Sequence, residues 1–66
     1  MKLNVVVWKE DDMFIVREVF TGVTTQGESI EEALKNIKEA VELYLEEMPD
    51  LKEELESKEI VGVMNV

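Results

Sequence analysis

Between residues 29 and 48, apolar side chains recur in steps of three and four: Ile30, Ala33, Leu34, Ile37, Ala40, Val41, Tyr44, Leu45 and Met48. This spacing places them along one stripe of an α-helix, with Glu31, Lys35, Lys38, Glu39, Glu42 and Glu46 mostly toward water. Ser29 stands where an N-cap belongs. Glu32, three residues on, completes a capping box in which the hydroxyl meets a first-turn amide and the carboxylate reaches back to the cap amide. A helix of about 18 residues spans roughly 27 Å. One wide apolar face on such a helix demands a sheet or a partner to cover it.

The flanking segments supply the sheet. Residues 2–9 predict a strand through β-branched Val5, Val6 and Val7 and aromatic Trp8. Leu3, Val5 and Val7 share one face, and Asn4, Val6 and Trp8 the other. Glu10, Asp11 and Asp12 form a charged turn, and residues 13–20 resume as a second strand, so a hairpin is expected. Within it Met13, Ile15, Arg17 and Val19 alternate with Phe14, Val16, Glu18 and Phe20. Thr21 and Gly22 make a second turn, and residues 23–26 a short third strand. Gly27 lets the chain leave the sheet in a conformation that a Cβ would hinder.

After the long helix, Pro49 suits the first turn of a short acidic helix over residues 49–57. Residues 60–66 then alternate as a closing strand. The expected fold is α+β: an antiparallel three-stranded sheet (residues 1–27) packed on one long helix (29–48), with the short helix (49–57) and a C-terminal strand (60–66), in a single domain. The expected core is Leu3, Val5, Val7, Ile15, Val23, Ala33, Leu34, Ile37, Val41, Tyr44 and Leu45.

With 66 residues, such a domain buries only about 60% of its extended-chain surface, and its margin of stability is thin. Cysteine and histidine are both absent. Disulfides are thereby excluded, a structural zinc site is disfavoured, and a cytoplasmic location is expected. The remaining remedy is association. Seven Lys and Arg against 16 Asp and Glu give a net charge of -9. Such a field repels phosphate backbones, so no direct nucleic-acid binding is expected, and a basic protein is the natural complement. No apolar run reaches the ~18 residues of a membrane span. The apolar start is too short for a signal peptide and lacks a small-residue cleavage site.

Few residues suggest chemistry. Glu10, Asp11 and Asp12 are adjacent in a turn and point apart, whereas a hard cation needs converging oxygens. Glu18 is the carboxylate inside a strand pattern and Arg17 its neighbour. No second carboxylate has a spacing to Glu18 that would build a metal-assisted site, and both are expected as edge or interface charges. Thr24, Thr25 and Ser29 have no histidine to activate a hydroxyl, and Gln26 offers only an amide. Gly22 and Gly27 lack the lysine and further glycines of a phosphate loop. No catalytic residue, metal or cofactor is implied.

The run from Gly22 through Thr25, Gln26, Gly27, Ser29, Glu32, Ala33, Asn36 and Ile37 to Leu45 is very similar to the signature of the HicB-like antitoxin family. With the preceding hairpin, the resemblance covers roughly residues 2–47. Gly22 matches the glycine ending the family's second loop. Thr25, Gln26 and Gly27 match the turn before the helix, and Glu32, Ala33, Asn36 and Ile37 its first two turns. Members resemble a truncated ribonuclease-H-like fold without that fold's catalytic carboxylates. The resemblance implies an antitoxin that binds and occludes a small basic ribonuclease toxin of the HicA type, with no catalysis of its own. Two departures stand out. The family's loop prolines are absent before Gly22, and residues 48–66 are too short and acidic for the family's C-terminal DNA-binding domain, so a small single-domain member is expected. The alternative is a free-standing oligomeric scaffold or small-ligand-binding module without a toxin partner.

The sheet has more apolar surface than one helix covers. If Leu3, Val5 and Val7 face the helix, then Val6, Trp8, Phe14, Val16 and Phe20 line the other side, a patch too large for a monomer. A homo-oligomer, dimer or tetramer, is therefore expected through that face. Residues 60–66, with Ile60, Gly62 and Met64 on one side, offer a second route by adding to a neighbour's sheet.

Overall fold

The computed structural model describes residues 2–64. Three strands, β1 (Val5–Glu10), β2 (Met13–Glu18) and β3 (Thr24–Gly27), are followed by helices α1 (Ile30–Glu46) and α2 (Pro49–Glu56). The sheet is antiparallel in the order β1-β2-β3. Helix α1 crosses β3 and β2 on one side, and α2 packs back against α1. The result is a two-layer α+β domain about 15 Å thick along its short axis.

Each boundary has a local cause. Ser29 caps α1 in extended backbone, and its Oγ accepts from Glu32 N at 3.1 Å. Pro49 opens α2, where its missing amide proton costs nothing. Gly22 turns the chain between β2 and β3 with φ +76°, in the left-handed region that favours glycine. Gly27 is required for a different reason than backbone conformation. A Cβ there would lie 2.6 Å from Ala33 N, because β3 ends against the first turn of α1.

The core comprises Val16, Ala33, Ile37, Val41, Leu45 and Leu55, with Leu3, Val5, Phe14, Val23, Tyr44 and Leu51 packed against it. This reverses the expected phase of β2. Phe14 and Val16 face the helix, and Ile15 lies on the other side with Trp8. The turn length decides it. Only Asp11 and Asp12 lie between the strands, so Val7 pairs with Val16 and Glu10 with Met13. A turn of three residues would have paired Val7 with Ile15, and a slip of one residue exchanges every side chain between faces.

Three further expectations are corrected. Val7 has the expected phase but stays 38% exposed, because α1 covers β2 and β3 rather than the edge strand β1. Leu34 is exposed as well. The helix buries a row of residues four apart, Ala33, Ile37, Val41 and Leu45, and Leu34 projects about 100° around the axis from Ala33, its neighbour in that row. Residues 60–64 form no strand, so Ile60, Gly62 and Met64 do not extend a sheet, and Val61 is 97% exposed. A lone strand without a neighbour has no backbone partners to stabilise it. Asn65 and Val66, the end of that expected strand, lie outside the described residues.

Candidate functional site

Of the residues singled out in the motif from Gly22 to Ile37, Thr25, Gln26, Gly27, Ala33 and Asn36 come together at the junction of β3 and α1, whereas Gly22 lies apart in the turn between β2 and β3. Thr25 Oγ1 donates to the Ala33 carbonyl at 3.2 Å, and Asn36 Nδ2 donates to the Gln26 carbonyl at 2.9 Å. With the Ser29 cap and the Gly27–Ala33 approach, these bonds fasten the first two turns of the helix to the last strand. Ala33 and Ile37 are buried, whereas Glu32 is exposed. The motif therefore does structural work, and nothing in its geometry resembles a reaction centre.

Glu18 is not an edge charge. It is fully buried, and its carboxylate accepts from three backbone amides: Asn4 N at 2.9 Å, Phe20 N at 2.8 Å and Thr21 N at 2.9 Å. Its own backbone closes the loop, donating to Val23 O and accepting from Gly22 N, each at 2.9 Å. One side chain thus ties the entry to β1 and the turn before β3 to the end of β2. The signal was present in the sequence: an acid at the last strand position, two and three residues before amides that a turn leaves unpaired. Among the described residues there is no group of three or more His, Cys, Asp or Glu arranged to hold a metal.

What remains is two surfaces. On the outer side of the sheet lie Val6, Trp8 and Glu10 from β1, Met13, Ile15 and Arg17 from β2, and Thr24 and Gln26 from β3, in the register of the strand pairs. Trp8 Nε1 donates to Glu10 Oε1 at 3.0 Å along this face. Phe14 and Val16, expected here, are on the helix side. Phe20 is in the following turn, beside Tyr44, Leu51 and Leu55, with Lys58 Nζ 5.6 Å from its ring centre.

The second surface is the helical layer, and it carries the charge. Residues 28–59 contain 12 acidic side chains and 4 lysines, a net -8, against -1 for residues 1–27. Neither helix has a basic residue in its last turn. Glu42, Glu46 and Glu47 instead crowd the negative end of the α1 dipole, where cations would stabilise the helix. Between the helices runs a cleft of about 370 Å³ lined by Glu42, Leu45, Glu46, Pro49 and Lys52. No helix among the described residues is long and apolar enough to cross a membrane.

A small two-layer α+β domain of this kind, with an acidic helical layer, defines only a broad structural class. Comparison places the chain more closely: residues 2–63 match a family of unknown function, DUF7387, and the chain belongs to it. It is 38% identical over 68 residues to a UPF0150 protein of Archaeoglobus fulgidus, covering all of this chain and 93% of that one. A UPF0150 protein of Helicobacter pylori is 48% identical over 46 residues, 68% of this chain and 64% of the relative. One from Thermoplasma acidophilum is 42% identical over 50 residues, 73% and 72% of the two chains. No solved structure matches the chain.

Proposed function

We propose that this protein is a cytoplasmic, HicB-like antitoxin that binds and occludes a small basic ribonuclease of the HicA type and performs no chemistry itself. The observation that carries the proposal is acid placed against the helix dipole. Glutamates at the C-terminal end of α1 oppose its dipole, and the last turn of the helix has no basic residue of its own, so Lys52 across the cleft is, among the described residues, the one cation lining that cleft with Glu42 and Glu46. Local rules are broken in this way where a sequence answers to something besides folding, and a basic partner is what such a surface fits. The motif from Gly22 to Ile37 supports the family reading. A sheet backed by one long helix is compatible with the truncated ribonuclease-H-like arrangement that reading implies. Buried Glu18, whose carboxylate is occupied by backbone amides, offers no general acid or base.

The partner sought is a basic protein of similar size, encoded beside this chain, with a double-stranded-RNA-binding-like pattern and one histidine. Co-expression of the two should relieve the growth arrest that the ribonuclease causes alone, and the pair should co-purify in fixed stoichiometry. A neighbouring ribonuclease that stays active and elutes separately would overturn the proposal.

A further inference from the structure

We infer that the outer face of the sheet is a two-fold interface through which two copies of this chain pair. On a molecule of net charge -9, this face is neutral: Arg17 is its one cation and Glu10 its one anion. The acidic charge lies mainly on the opposite, helical side, so a basic partner has no electrostatic reason to choose this one. Its centre is apolar, with Val6 45% and Trp8 37% exposed beside Ile15 and Met13. Arg17 enters no ion pair among the described residues.

The arrangement is self-complementary. Across the face, Val6, Arg17 and Thr24 form one row, Trp8, Ile15 and Gln26 the next, and Glu10 and Met13 the third. Two sheets packed face to face can be related by a two-fold axis lying between them, perpendicular to the strands, through the middle row. That operation sets Trp8 against Trp8 and Ile15 against Ile15 of the second copy. It also reverses the rows, so Arg17 lies over the second copy's Met13, one strand spacing of ~4.8 Å from its Glu10, within reach of a guanidinium. Asp11 and Asp12 adjoin Glu10 and strengthen that attraction. A two-fold axis along the strands would instead oppose Arg17 to Arg17. An isologous contact requires such reciprocity, and here it is supplied twice. Three short strands offer less than the ~800 Å² per partner of a standard interface, so the pair is weak and concentration-dependent.

The test uses the full chain and two surface variants, Arg17→Glu and Glu10→Arg, each checked for an unchanged circular dichroism spectrum. Sedimentation velocity from about 5 to 500 μM spans the range in which a micromolar pair forms. The unmodified chain should pass from monomer to dimer, with a blue shift of Trp8 emission as its ring leaves water. Each variant alone should remain monomeric, because like charges meet at both ends. An equimolar mixture of the two should dimerise again, since the swapped charges attract in the heterodimer. A folded unmodified chain that is monomeric at 500 μM, or single variants that associate as well as the parent, would overturn the inference.

Discussion

The end of β3 touches the start of α1 so closely that Gly27 and Ala33 have no room for one more carbon: a Cβ on Gly27 would sit 2.6 Å from Ala33 N and 3.0 Å from Ala33 Cα. Both obstacles are backbone, so neither yields by a rotamer change. Gly27→Ala should therefore push the helix off the sheet at its best-anchored point and destabilise the fold by about 1–3 kcal/mol. Thermal or urea unfolding measures it. A Gly27→Ala variant as stable as the parent would show that the junction is looser than described.

Glu18 makes a second, independent test of how the sheet is closed. In Glu18→Gln the side-chain NH₂ must oppose at least one of the three amides that the carboxylate now accepts. Loss of charge-assisted bonds in a buried site should cost about 2 kcal/mol, a fall in melting temperature on the order of 10 °C for a domain of this size. If the variant melts with the parent, the carboxylate is not the tie between the entry to β1 and the turn before β3.

The helical acids predict the opposite sign. Glu42→Lys with Glu46→Lys places cations at the C-terminal end of α1, which should raise stability by about 0.3–1 kcal/mol per substitution. The same pair should abolish binding of a basic ribonuclease. More stable and less able to bind is the outcome expected of acids retained for a partner. A double variant that is stabilised and binds the ribonuclease as before would remove the helical layer from the interface.

Nucleic acid provides a further check. In a gel shift at ~100 mM salt the isolated chain should retard neither DNA nor RNA, because its field opposes association with phosphates. Micromolar retention of any duplex would contradict the charge argument.

The parts of the fold legible in the sequence were those with redundant signals. Helix α1 had both a period and a cap, and its stripe of Ala33, Ile37, Val41 and Leu45 is buried. The phase of β2 had no such redundancy. Phe14 and Val16 are no more apolar than Met13 and Ile15, and the hairpin register turned on whether Glu10 belonged to the turn or to β1. Glu18 reads as exposed because a carboxylate in a strand pattern ordinarily is; its two local donors, Phe20 and Thr21, are legible as a turn, but the third, Asn4, is distant in sequence. Residues 60–64 alternate like a strand, yet alternation describes only which face a residue would take if a neighbouring strand existed. The family-motif residues were legible as a group, but only their hydrogen bonds show that they clamp a helix to a sheet.

The most direct test of the proposed function is a purification. The chain, tagged, is co-expressed with a candidate small basic ribonuclease of the HicA type, and the eluate is analysed by size-exclusion chromatography with light scattering and by an RNA-cleavage assay. A complex of fixed stoichiometry with cleavage suppressed is the expected result, lost on Glu42→Lys with Glu46→Lys while the fold remains intact. A tagged, folded chain that elutes alone beside an active ribonuclease would contradict it.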